Sequence, residues 1–158
     1  MHDTALNGSL TLERLAPATD AMETYVQTQK LPFLKTQGEI EADVCEVVRR
    51  HSLEYMGRGP KDVCAYLLGD LLLVRTSGIL TKAQHHLAET SAEKGKLLLK
   101  QVRSQLIEVA RSELEAMIKA CTRVNVVSLH HDISTVTGEE IIVFTLDKSP
   151  AIRLIKRK

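Results

Sequence analysis

Tryptophan is absent from the 158-residue chain, and aromatic residues make up only 3% of it. A platform for stacking bases or sugar rings is therefore not expected, since such surfaces are built from exposed aromatic rings. A dominant charge is missing too: 21 Lys and Arg stand against 20 Asp and Glu, for a net charge of +1. That balance argues against bulk electrostatic attraction to nucleic acid or acidic lipid. The three cysteines, Cys45, Cys64 and Cys121, are widely spaced and form no CxxC pair. An odd, scattered set favours free thiols in a reducing compartment over a disulfide frame or a zinc site. No apolar run approaches the roughly 20 residues of a membrane span, and no signal peptide is recognisable. These absences lead us to expect a soluble cytoplasmic protein with no nucleic-acid partner and no direct insertion into a membrane.

What is present is ordinary in bulk, 44% hydrophobic and 26% charged, and the length suits one domain with a buried core. Its most informative stretch is Gly57–Thr81, GRGPKDVCAYLLGDLLLVRTSGILT. Gly69-Asp70 separates two apolar runs, and Gly in the first central position suits a type II′ turn, which needs a positive φ there. Such a turn pairs Leu68 with Leu71, Leu67 with Leu72, Tyr66 with Leu73, Ala65 with Val74 and Cys64 with Arg75. Alternation then puts Val63, Ala65, Leu67, Leu72 and Val74 on one face. The other face carries Cys64, Tyr66, Leu68, Leu71 and Leu73, with Arg75 toward its edge. Both faces are apolar, so both need cover, whereas a half-exposed hairpin shows one polar side.

Around this hairpin the chain reads as two αββ units. Residues 1–37 form an N-terminal extension, partly disordered, in which Asp20 and Glu23 resemble a capping box for a short helix at about 21–29. From Gly38 to Met56, Ile40, Val44, Val47 or Val48, and His51 recur at helical spacing, and Gly57 and Pro60 end the helix. Thr81 is a candidate N-cap for a helical region reaching Thr122, with a kink or break at Gly95. Its apolar stripe is read as Leu99, Val102, Leu106, Val109, Ala110, Leu114, Met117, Ile118 and Cys121, with Arg103 mostly off it. Val124–His131 and Glu140–Leu146 form a second hairpin around Thr137-Gly138. A basic tail, 149–158, closes the chain. The fold class is α+β: a four-stranded, largely antiparallel sheet from two hairpins, packed on two long helices. Two helices cover one face only, so homodimerisation through the other is expected, with Tyr66, Leu68, Leu71 and Leu73 at the interface.

Candidate chemistry is sparse. The turn holding Arg58 could form a backbone nest for an anion, but a helix end and chain reversal explain it more simply, since a GxG without a phosphate-loop Lys-Ser/Thr is a weak signal. Ser128, His130 and Asp132 share a strand face in the order of a nucleophile–base–acid set. Alternate strand residues stand about 6.6 Å apart, however, which is poor geometry for a proton relay. The adjacent pairs His85-His86 and His130-His131 each offer one ligand in a given direction, so no metal site is expected. Arg75, on an apolar sheet face, and Arg103, on the long helix, are either rim salt-bridge partners, with Glu108 or Asp132 for instance, or ligand contacts. The basic tail either is solvated or touches an anionic membrane surface or acidic partner.

GRGP (57–60), the aliphatic hairpin, SGILT (77–81), KQVRSQLIE (100–108), DISTVTGEE (132–140) and VFTLD (143–147) together resemble the MpsC-like domain. This bacterial family of largely uncharacterised proteins is named for an accessory component of a sodium-translocating, membrane-potential-generating system linked to inorganic-carbon uptake. The resemblance spans roughly residues 38–148, leaving the extension and tail outside it. It supplies no catalytic residues. Arg103 and Asp132 are the polar members among matched positions that are otherwise turn and cap residues. The resulting expectation is a non-enzymatic, homodimeric accessory module without cofactor, serving a membrane transport protein and peripheral to the inner face of the membrane. The alternatives are a cytosolic small-molecule or anion sensor, using Arg58, Arg75, Arg103 and Asp132, and a cryptic hydrolase built on the histidine-rich strand.

Overall fold

Helix α1, Gln37–Met56, starts where a capping box fixes its first turn. The Glu39 N–H donates to Thr36 Oγ1 at 3.2 Å, and the Thr36 N–H donates to Glu39 Oε2 at 2.6 Å, satisfying two otherwise orphaned donors. The helix ends at Gly57, whose φ of 68° is the left-handed conformation a C-terminal glycine adopts without strain. The computed structural model describes residues 34–90 and 92–154. Apart from Leu34, these belong to one compact unit, Lys35–Lys158. The expected helix at 21–29 lies outside the described residues.

Strands β1 (Asp62–Leu68) and β2 (Leu71–Ser77) form a tight hairpin in which all five expected cross-strand pairs are present. Gly69 has φ 66°, and Asp70 is absent from the positive-φ residues, as a type II′ turn requires. Helices α2 (Lys82–Thr90) and α3 (Ala92–Thr122) follow, then β3 (Val126–Ile133) and β4 (Glu140–Leu146). The sheet order is β1-β2-β4-β3, antiparallel throughout. The α+β class and the two-hairpin sheet are therefore as the sequence implies.

One sheet face carries the core. Val63, Ala65, Leu67, Leu72, Val74, Leu129, Ile142, Phe144 and Leu146 pack there against Ile40, Val44 and Val48 of α1 and Ile107, Ala110, Leu114 and Ile118 of α3. A second cluster of Leu80, Ala88, Leu99 and Ile133 anchors α2 against α3 and β3. The edges of the sheet are capped by helix side chains. On β1 the Leu67 N–H donates to Glu41 Oε1 at 2.9 Å, while Gln37 Nε2 donates to the Leu67 carbonyl at 3.0 Å. On β3, Arg111 Nη2 reaches the Leu129 carbonyl at 3.5 Å. Occupied edge groups discourage another strand from adding there.

Three details differ from the sequence reading. Gly95 does not break the helix: it lies buried inside α3, which runs Ala92–Thr122. A glycine costs about 1 kcal/mol in a helix interior, which the packing of a 31-residue helix readily outweighs. Strand β3 begins two residues later than expected, after Arg123 has turned the chain at φ 62°. The buried stripe of α3 is also rotated: Leu99, Arg103, Ile107, Ala110, Leu114, Ile118 and Cys121 face inward, while Val102 and Val109 face solvent. The inward residues recur at spacings of four and three, which an arginine in the series disguised.

Candidate functional site

The described residues leave the second face of the sheet open. Among the described residues no helix covers Cys64, Tyr66, Leu68, Leu71, Leu73, Ile141 or Val143, which are exposed or half-buried; Leu68 retains 62% of its accessible surface. Arg75 lies on this face and bonds through Nε to Glu139 Oε2 at 2.6 Å, an ion pair that raises the guanidinium pKa. The Tyr66 hydroxyl is pushed above its ordinary range, chiefly by the neighbouring Cys64 side chain. At the β3 edge, Lys100 Nζ lies 2.8 Å from each carboxylate oxygen of Asp132 and holds that carboxyl below its usual range. The patch is thus apolar across three strands, with its charges neutralised in pairs.

A cavity of about 350 Å³ lies on the helical side, between α1, α3 and the start of α2. Its polar lining includes His51, Arg58, Thr81, Gln84, Arg103 and Glu140, with Ser52 and Tyr55, and its apolar walls include Val48, Ile107, Leu114 and Ile142. Helix α2 opens with a second capping box: Gln84 N–H donates to Thr81 Oγ1 at 3.2 Å, and Thr81 N–H donates to Gln84 Oε1 at 2.9 Å. Arg58, exposed beyond the end of α1, reaches the Leu80 carbonyl through Nη1 at 3.4 Å. Arg103 is only 5% exposed. Its Nη2 donates to the Ile79 carbonyl at 3.1 Å, and Nη1 stands 3.9 Å from Glu140 Oε1. Its Nε has no partner.

Glu140 is the hub of a buried network. It accepts from Thr76 Oγ1 at 3.3 Å and lies 2.9 Å from His131 Nε2, while His131 Nδ1 is buried without a partner. On α1, His51 stacks on Tyr55 with ring centroids 5.2 Å apart and faces Glu113 at 3.6 Å.

Of the four arginine and aspartate candidates, the structure brings Arg58 and Arg103 together at the cavity and leaves Arg75 and Asp132 on the opposite side. Neither suggested partner of Arg103 applies: Glu108 binds Arg111 at 2.6 Å, and Asp132 binds Lys100. Ser128 Oγ comes within 3.4 Å of His130 Nε2, closer than strand spacing suggested, because the side chains lean together across the alternation. Asp132 is engaged by Lys100, leaving that histidine without the orienting acid a triad needs. No group of three metal-ligating side chains occurs among the described residues. Sequence reasoning missed Glu140 and His51 as site residues. The signal for Glu140 was its register, in alternation with Ile142, Phe144 and Leu146 on the buried face.

An antiparallel four-stranded sheet with helices on one face, an open apolar face and a polar cavity under the helices defines an α+β domain. The chain belongs to the MpsC family, as the motif resemblance implied. Residues 36–148 match the family described as "Na+-translocating membrane potential-generating system (MpsC)". The chain is also 35% identical over 112 residues to the uncharacterized protein YbcI of Bacillus subtilis, an alignment covering 71% of this chain and 89% of that protein. No solved structure matches the chain. No helix among the described residues is long and apolar enough to cross a membrane.

Proposed function

We propose that the protein is a non-enzymatic, homodimeric interaction module, an accessory to a membrane ion or inorganic-carbon transport system, acting in the cytoplasm at the inner face of the membrane. The observation that carries this reading is the sheet face that the described residues leave uncovered, bearing Tyr66, Leu68, Leu71, Leu73, Ile141 and Val143. A second copy suits that face because a two-fold interface reuses one patch, and this patch is apolar with its flanking charges already paired. The helix side chains that engage Leu67 on the β1 edge also work against strand addition at that point. The family description supports a membrane transport system as the setting. The test is sedimentation velocity over a concentration series, followed by tagged purification from membranes and cytosol separately. A monomer at all concentrations, or recovery with no transport subunit, would refute the corresponding half of the proposal. A second reading, a small-molecule or anion sensor, is favoured by one observation, the cavity holding Arg58 and Arg103.

A further inference from the structure

We infer that the cavity between α1, α2 and α3 binds a carboxylate carried on an apolar body, its head group held by Arg103 and Arg58 beside the first turn of α2. This rests on the sensor reading, with self-association as the property the ligand would control. Arg103 supplies the main argument. Its guanidinium side chain is 6% exposed, donates from Nη2 to one carbonyl, and stands too far from Glu140, at 3.9 Å, for a hydrogen bond. Its Nε has no partner among the described residues. A buried donor left unmade is unfavourable, and native structures rarely keep one without a reason. A planar carboxylate matches the fork of a guanidinium better than any other small anion except phosphate.

The charges facing the cavity decide between those two. Among the described residues, Arg58 and Arg103 are opposed there by Glu140 alone, because Glu113 touches His51 from an exposed position outside the lining. One net positive charge remains. The start of α2 adds its partial positive charge, with Thr81 and Gln84 in the lining and the first-turn N–H groups of Lys82 and Ala83 lacking helical acceptors. A monoanion neutralises this arrangement, whereas a dianion overcompensates it. The remaining walls are mostly apolar, Val48, Ile107, Leu114 and Ile142 among them, with hydroxyls from Ser52 and Tyr55. A bare inorganic ion would leave them wet, and an alkyl or aryl body covers them. The volume of about 350 Å³ lies within the roughly 300–1,000 Å³ of small-molecule sites.

The test titrates octanoate into the full chain by calorimetry, with octanol and inorganic phosphate as controls. Octanoate is expected to bind saturably, and both controls at least about tenfold more weakly, the worth of one charge-assisted contact. Arg58→Ala, at an exposed position, should weaken octanoate about tenfold while leaving the ligand-free melting temperature unchanged. Arg103→Gln should abolish binding; if that variant does not fold, Arg58→Ala decides the matter. Absence of saturable octanoate binding, octanol binding as tight as octanoate, phosphate binding as tight as octanoate, or an Arg58→Ala variant of unchanged affinity would each overturn the inference. Sedimentation of the octanoate-saturated protein separates the sensor reading from the site. Binding that leaves association unchanged upholds the carboxylate site and removes the sensing role.

Discussion

Arg103 on α3 and Glu140 at the start of β4 face each other across 3.9 Å, with side chains only 6% and 8% exposed. The pair joins the long helix to the sheet where the core gives way to polar groups, and Thr76 and His131 complete the carboxylate's contacts. Removing one member of such a pair leaves an uncompensated buried charge, at a cost of about 3–5 kcal/mol. Glu140→Ala should therefore be strongly destabilising in urea unfolding. Adding Arg103→Met to it should cost much less than the sum of the two single changes, because the second change removes the stranded charge. Additive losses would mean that the two side chains are neighbours without energetic coupling.

Two exposed apolar stripes compete as the surface for self-association. One is the open sheet face; the other runs along the outside of α3 through Val102 and Val109, the latter 70% exposed. The proposed dimer uses the sheet, so Leu71→Glu should shift it to monomer, as a buried charge at an interface is costly. Val109→Glu should leave the assembly unchanged. Light scattering of both variants during size-exclusion chromatography provides the check, and the reverse pattern would move the interface to α3.

The hairpin was legible because its local rules agreed: a turn glycine, alternation and register all pointed to one pairing, and the structure contains it. The capping residues Gly57 and Thr81 were legible for the same reason, each having a local signature. The rotation of α3 was not. Val102, Leu106 and Val109 make a credible apolar stripe, while the true inward series contains Arg103, whose burial depends on Ile79 and Glu140, distant in sequence. The cavity was illegible for a related reason, since it is assembled from the end of α1, the start of α2 and the middle of α3. Only the tertiary fold brings Arg58 within reach of the groups around Arg103, and sequence spacing placed Arg75 and Asp132 on an equal footing with them.

Arg123 is the single non-glycine residue with positive φ among those described, at 62°, and it closes α3 while its N–H donates to the Lys119 carbonyl at 2.8 Å. A side chain in the left-handed region carries a penalty of about 1–2 kcal/mol, which glycine escapes at some cost in unfolded-chain entropy. Arg123→Gly should therefore raise stability by about 0.5–1 kcal/mol, seen as a higher urea midpoint with an unchanged slope. A lower midpoint would show that the arginine side chain contributes more at this position than its backbone strain costs.

The paired carboxylates give the protein a defined sensitivity to acid. Lys100 holds the Asp132 carboxyl below its ordinary range, and hydrogen bonds from Asn125 do the same for Asp147. A carboxyl with a folded-state pKa below its unfolded value binds fewer protons when folded. Its contribution is then complete above the ordinary carboxylate range and is lost as pH falls through the depressed folded value. The contribution of these two carboxylates should be level near neutrality and decline below about pH 4, where the unfolded chain takes up protons first. Because Asp132 is largely exposed, solvent screening keeps its share small. Asp132→Asn should accordingly lower the urea midpoint slightly at pH 7, and the gap between variant and wild type should close on acidification. A gap that persists unchanged to the acid limit would assign the loss to packing and not to the Lys100 ion pair.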